Sequence, residues 1–357
     1  MESLLNDYYL QSLHVSKFIP RKVIIDENSL QLIGVTQSGK TLLLKQYLLT
    51  CKKNSYLYID CRDRRLDINK LNASLEDFCH VNKIQILVLD NYIEAIKLPT
   101  IAQLIISSEK IIKDTGLEPL LINPLDYEEF LAYEPKYDST ALNHFLQLGG
   151  YPVMHSIPSE SRHLYLQEQL SSRLNDIEFD ILSFIAKNAA LKLSAFAIYE
   201  RLKSERRISK DKLYQNLDSL LAKRYIYQLE KYEHTRAVKK LYLCDIAIKN
   251  SLTIQKYFVR LFENLIFLEM TKRDFKLYYT EGIDFYLPEH QRIVLCMPFA
   301  VQDALFKKIE SVEAFIIENN VLHVEVVTVG SEGSLHHPFV KVAMMPFSEW
   351  AIIEGEQ

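Results

Sequence analysis

Over the first 125 positions, apolar residues follow two rhythms. Short runs, "SLQLIG" (29–34), "SYLYID" (55–60), "IQILVLD" (84–90), "AQLIISS" (102–108) and "EPLLINPL" (118–125), read as strands. Between the first two, "KTLLLKQYLLT" sets Leu43, Leu44, Tyr47 and Leu48 at helical spacing. Ile86 to Leu89 are all apolar, as expected of a strand covered on both faces of a parallel sheet. Strands that alternate with helices predict a parallel α/β domain. Farther along, "DIEFDILSFIAKNA", "SAFAIYERLKS" and "SKDKLYQNLDSLLAKR" predict three helices, the second capped by Ser194 and the third by Ser209. Leu213, Leu217, Leu220 and Leu221 share one face of the third. "YIYQLEKYE" and "KKLYLCD" follow as a hairpin. Three helices and a hairpin predict a winged helix.

The first strand and helix are joined by "GVTQSGKT", Gly34 to Thr41, which meets the pattern G-x-x-x-x-G-K-[ST]. A tight loop at a helix N-terminus turns backbone N–H groups inward at the positive end of the helix dipole. Gly34, Val35, Thr36, Gln37, Ser38 and Gly39 are therefore candidate phosphate ligands. Lys40 would reach the β- and γ-phosphates of ATP, and the Thr41 hydroxyl would bind Mg²⁺. A metal-binding carboxylate is expected at the tip of another buried strand. Asp90 ends the continuous apolar run and is preferred over Asp60, which ends a neighbouring strand. The residue after Asp90 is Asn91, which can position water but cannot accept its proton. Glu94 lies three residues on and is not expected to face the γ-phosphate. Lys40, Asp90 and Asn91 are the candidate catalytic residues, with Thr41 and Asp90 as metal ligands. Ser107 and Ser108, at a third strand end, are candidate sensors of the γ-phosphate. The loop predicts ATP binding with slow hydrolysis.

At 357 residues the chain is long enough for two or three domains. Its net charge of -4 argues against a polyanion binder as a whole but leaves local patches open. No apolar run approaches membrane-spanning length, and the N-terminus has no basic start, so a cytoplasmic protein without membrane contact is expected. Five cysteines with no C-x-x-C pair suggest reduced thiols and no structural zinc.

"LINPLDYEEFLAY" followed by "FLQLGGYPVM" resembles a signature of prokaryotic AAA-type ATPases that carry a winged helix and a C-terminal nuclease-like domain of unknown function. Pro124, Leu125, Glu129 and Phe130 match its first part, and Gly149, Gly150 and Pro152 its second. Lys240, Tyr242 and Asp245 match the family's Lys-x-Tyr-x-x-Asp strand, Glu263 and Asn264 its Glu-Asn helix, and Ile283, Asp284 and Phe285 its Ile-Asp-Phe strand. "VAMMPFSEWAI" is similar to its closing Pro-containing strand. The resemblance covers nearly the whole chain. It implies an α/β architecture: a parallel-sheet P-loop NTPase domain (1–130), a helical lid or linker (131–176), a winged helix (177–243) and a small restriction-endonuclease-like α/β domain (244–357). The family often has arginines within the phosphate loop, where this chain has Thr36 and Gln37. It usually has Asp-Glu where this chain has Asp90-Asn91. Both departures point away from fast turnover. Candidate arginine donors to a phosphate site are Arg62, Arg64 and Arg65.

Residues 201–240 hold twelve Lys or Arg against five Asp or Glu, a basic stretch inside an acidic chain. Arg206, Arg207, Lys210, Lys212 and Gln215 are candidate contacts to duplex DNA. A winged helix that packs against protein, this chain's own or an unidentified partner's, is the competing expectation. The rival functional reading is a winged-helix DNA-binding regulator in which ATP is only structural, and a third is a pure protein-interaction module. Glu263 and Asp284 stand where a nuclease core would set two metal carboxylates, but "RIVLCMPF" supplies no acid and lysine one residue apart. Nuclease activity is not expected. His336 and His337 read as loop residues without a third ligand.

Overall fold

Five parallel strands carry the first part of the chain. The computed structural model describes residues 1–15, 20–133, 140–255, 257–273 and 275–353. It divides into two compact units, Met1–Pro124 with Ala222–Arg224, and Leu125–Leu221 with Tyr225–Gln357. The first unit runs α1 (Glu2–Leu10), β1 (Leu30–Ile33), α2 (Lys40–Thr50), β2 (Tyr56–Asp60), α3 (Ile68–Val81), β3 (Ile86–Asp90), β4 (Gln103–Ser108) and β5 (Glu118–Leu121). The strand order is β2-β3-β4-β1-β5, and every neighbouring pair is parallel.

Alternation along β3 explains its unbroken apolar run. Leu87 and Leu89 join Leu71, Leu75 and Phe78 of α3 in one core. Val88 joins Leu44 and Leu48 of α2 in the core on the opposite face. With both faces covered there is no solvent side for a polar residue. Each such fully buried side chain contributes about 1.5–3 kcal/mol of hydrophobic stabilisation. All strand C-termini emerge at one edge, where Asp60 and Asp90 are in register.

The second unit continues with α4 (Tyr127–Tyr133), α5 (Ala141–Leu148), α6 (Arg162–Ser171), α7 (Asp176–Lys187), α8 (Ala195–Lys203), α9 (Lys210–Ala222), β6 (Ile226–Leu229), β7 (Lys240–Leu243), α10 (Ile246–Leu252) and α11 (Phe258–Thr271). It closes with β8 (Tyr278–Thr280), β9 (Ile283–Leu287), β10 (Arg292–Cys296), α12 (Gln302–Glu318), β11 (His323–Thr328), β12 (Gly333–Leu335), β13 (Lys341–Pro346) and α13 (Phe347–Ile353). The segment expected as a lid or linker holds α5 and α6, and its residues 134–139 lie outside the described residues, as do 354–357 of the last segment.

The three helices and hairpin expected over 177–243 are α7, α8, α9 and the antiparallel pair β6–β7. Ser194 caps α8 by accepting from Ala197 N, and Leu213, Leu217 and Leu220 are buried while Leu221 is only partly so. The hairpin's connection is not a free wing. Tyr232 N donates to Tyr279 O (2.8 Å), and Tyr279 N donates to Glu230 O (3.0 Å). The Tyr232 ring packs edge-on against Tyr278, Tyr286 and Phe315. The six-stranded sheet, β12-β13-β11-β10-β9-β8, has a parallel centre of β10, β11 and β13. α12 connects β10 to β11, as a parallel crossover requires, and packs Leu305, Ile309, Val312 and Ile316 on the sheet.

Candidate nucleotide site

The loop between β1 and α2 is shaped by glycine at both ends. A Cβ on Gly34 would stand 2.2 Å from the Ile122 carbonyl oxygen just beyond β5, so the loop leaves the sheet through a gap only glycine fits. Gly39 has φ 99°, in the left-handed region, and caps α2 without any side-chain hydrogen bond. Val35, Thr36, Ser38 and Lys40 are buried, and Gln37 is left-handed at φ 65°. The Ser38 hydroxyl is buried without a hydrogen-bond partner. An unpaired polar atom inside a loop of this shape fits a polar ligand.

Lys40 is 8% exposed, and its Nζ donates to Gly34 O (2.6 Å) and Val35 O (2.9 Å). The next side chain makes the link to the neighbouring strands. Thr41 Oγ1 donates to Asp90 Oδ2 at 2.6 Å. Asp90 is fully buried and accepts three further hydrogen bonds: from Tyr58 OH at 2.7 Å, from Ser107 Oγ, and from Asn91 N at 3.1 Å. Burial first, then the Asp90 charge, push the Tyr58 phenol far above its ordinary range, which keeps it a donor. Gly34, Lys40, Thr41, Asp90, Asn91 and Ser107 thus meet at one end of the sheet.

The other candidates have partners of their own or lie on the surface. Ser108 is turned away, its hydroxyl donating to Lys110 O at 2.6 Å. Asn91 adopts φ 55° and sends Nδ2 to Asp60 Oδ1 at 3.2 Å. Asp60, the rival carboxylate, is clamped by Arg62 in a two-pronged pair with Nη2 at 2.6 Å. Burial would raise the Asp60 carboxyl, but the Arg62 hydrogen bonds outweigh it and hold the group below its usual range. Glu94 pairs with Lys110 on the surface at 3.0 Å. Of the candidate arginines, Arg62 is held by Asp60 and Arg65 by Asp63, while Arg64 is exposed.

One contributor escaped the sequence reading. Arg21 Nη1 donates to Ser38 O (2.9 Å) and Nη2 to Asn123 O (2.7 Å), tying the loop to the segment after β5. A lone arginine ahead of the first strand gives no periodic or motif signal.

In the second unit, Arg206 is partly buried in an ion pair with Asp180, whereas Arg207, Lys210, Lys212 and Gln215 are exposed. Arg206 therefore braces α7 against the segment before α9 while remaining partly exposed. Lys210 lies over the Phe196 and Tyr199 rings at 5.3 and 5.7 Å. His337 pairs with Glu313 (3.3 Å), and His336 is exposed. Among the described residues no group of three His, Cys, Asp or Glu is placed to hold a metal, and no helix is long and apolar enough to cross a membrane.

A parallel sheet in this order, with G-x-x-x-x-G-K-T between β1 and α2, is the fold class of P-loop NTPases. No protein-family model matches the chain. An uncharacterized protein of Methanocaldococcus jannaschii is 26% identical over 312 residues, which cover 72% of this chain and 68% of that protein. Among solved structures, the chain is similar to a Walker-type ATPase of Pyrococcus abyssi, at 16% identity and TM-score 0.41 over 63% of this chain and 90% of that one. It is also similar to the Aeropyrum pernix ORC1 protein, solved in complex with DNA, at 12% identity and TM-score 0.32 over 66% of this chain and 88% of that one.

Proposed function

We propose that the chain binds Mg·ATP as an AAA-type protein and uses occupancy as a conformational switch, with slow hydrolysis. The observation that carries this reading is the 2.6 Å hydrogen bond from Thr41 Oγ1 to Asp90 Oδ2. It joins the hydroxyl and the carboxylate that a phosphate-bound magnesium ion needs, from a helix start and a strand tip far apart in sequence. Gly34 to Thr41 would hold the phosphates through backbone N–H groups, and Lys40 would supply charge to them. Bound magnesium would neutralise phosphate charge between Thr41 and Asp90. Asn91 can orient water through its amide but takes up no proton, and it is already engaged with Asp60. Turnover far below the usual enzyme range follows from that substitution.

Calorimetry with Mg·ATP tests the reading. Wild type should bind, Lys40→Ala should lose at least about tenfold in affinity, equal to about 1.4 kcal/mol, and steady-state hydrolysis should be slow. No affinity for adenine nucleotides would refute nucleotide binding. Fast turnover abolished by Lys40→Ala would refute the slow switch.

A second reading, contact with duplex DNA through α9, is favoured by the exposed Arg207, Lys210, Lys212 and Gln215. It would use α9 and the residues just before it, because the hairpin connection is engaged with β8. Binding that weakens with salt, and weakens further in Arg207→Ala/Lys212→Ala, would support it. An absence of binding at low salt would remove it.

A further inference from the structure

The second unit buries an ion cluster that the nucleotide site does not use. Lys240 opens β7, Glu263 sits on α11 and Asp284 on β9. Lys240 Nζ donates to Glu263 Oε1 at 2.7 Å and stands 3.9 Å from Asp284 Oδ1. Tyr242, two residues along the same strand, donates to the same Glu263 oxygen at 2.7 Å. Asp284 Oδ2 accepts from Cys296 N at 2.9 Å. The side chains of Lys240 and Glu263 are only 12% and 11% exposed, and that of Asp284 is 26% exposed.

Two carboxylates gathered in so dry a place repel each other, and one would hold its proton unless a cation stood between them. Proteins commonly meet this need with a divalent ion held by oxygen ligands. Here the chain brings its own cation. Burial would lower the Lys240 ammonium, but the charges of Glu263 and then Asp284 more than offset it and raise it, while burial, opposed by Lys240, still holds Glu263 above its usual range. β10 presents Val294, Leu295 and Cys296, and among the described residues no third acid joins the pair.

We infer that the Lys240 ammonium takes the place of a divalent cation between Glu263 and Asp284, so that the acidic centre of this unit is a metal-independent lock joining β7 to α11 and β9. The lock ties the helical segment's hairpin to the six-stranded sheet. It also places an ammonium on Glu263 Oε1 and beside Asp284 Oδ1, where a divalent ion for metal-assisted hydrolysis would stand. This inference does not rest on nucleotide binding.

Manganese is the probe, used with the nucleotide-free full chain and read by thermal unfolding and by electron paramagnetic resonance of bound Mn²⁺. Wild type should unfold at the same temperature in EDTA and in about 1 mM Mn²⁺. Lys240→Ala should unfold earlier in EDTA and recover by about 3–5 °C in Mn²⁺, a recovery that disappears when Glu263→Gln is added. The double variant Lys240→Met/Glu263→Gln, which removes both charges together, should be more stable than Lys240→Ala. It keeps the test readable if the single variant folds poorly. Mn²⁺ bound to wild type and lost in Glu263→Gln would overturn the inference, as would Mn²⁺-dependent nicking of DNA by wild type. So would a Lys240→Ala chain that manganese fails to stabilise or to fold.

Discussion

Asn91 carries two demands that pull in different directions. Its backbone is left-handed at φ 55°, a conformation in which Asn is tolerated far better than most residues. Its side chain bridges to Asp60, which Arg62 holds in turn. From the sequence, Asn91 was legible only as the absence of a proton acceptor. The left-handed backbone was not, because a strand-terminal Asn does not announce its φ. The two roles separate in Asn91→Glu. The backbone change and the lost bridge should cost about 1–2 kcal/mol, lowering Tm by a few degrees. If the missing acceptor limits turnover, ATP hydrolysis should rise at least about tenfold despite that loss. A destabilised variant with unchanged turnover would show that chemistry is limited elsewhere. Asn91→Gly is the control: it keeps the backbone relaxed but supplies neither a carboxylate nor the amide that orients water, so its turnover should not exceed that of wild type.

At the scale of elements, the turn that ends α5 and the start of α10 form one joint. Gly149 has φ 69°, and a Cβ there would fall 2.1 Å from Asp245 Oδ1 and 2.9 Å from Ala247. Asp245 caps α10 through Ala247 N and accepts from Gly150 N, both at 2.7 Å, while Leu125 N donates to Gly150 O at 2.7 Å. Gly149→Ala should therefore cost more than about 3 kcal/mol, from backbone strain and overpacking together. Gly116→Ala isolates the first effect. Its φ is 70°, but nothing lies within 4 Å of a new Cβ, so about 1 kcal/mol is expected. Equal losses in the two variants, measured by denaturant unfolding, would refute the crowding. The sequence marked Leu125, the Gly149-Gly150 turn and Asp245 as separate pieces of a resemblance. It could not show that they are one contact, since nothing in local periodicity joins positions 95 residues apart. The strands and helices were legible because binary patterning is a local signal. The engaged hairpin was not, because Tyr232 and Tyr279 meet only through the tertiary fold.

For the molecule as a whole, buried carboxyls set an unusual dependence of stability on pH. Burial pushes Asp245 up to about 6, against an ordinary 3.8, and Glu269 up to about 7, against 4.5. A raised carboxyl means that the folded chain holds a proton which the unfolded chain has already released. Between about pH 4 and 7 the folded state thus binds more protons, and stability falls as pH rises through that window. Carboxyls held low, Asp60 and Asp67 among them, act in the opposite sense and withdraw their support only in stronger acid. Tm should accordingly climb as pH drops from about 8 to about 5 and then decline below about 4. Glu269 accepts from Tyr127 N at 3.0 Å and lies 4.0 Å from Arg273, so Glu269→Gln keeps an acceptor for Tyr127 while removing the titration. That variant should flatten the slope between pH 5 and 8 and leave the acid limb unchanged. A wild-type Tm that rises steadily from pH 5 to 8 would mean that the partners of Asp245 and Glu269 stabilise the charged forms more than burial opposes them. The same profile measured with Mg·ATP should keep its shape, because Asp245 and Glu269 both lie in the second compact unit and none of the residues proposed to hold the nucleotide does.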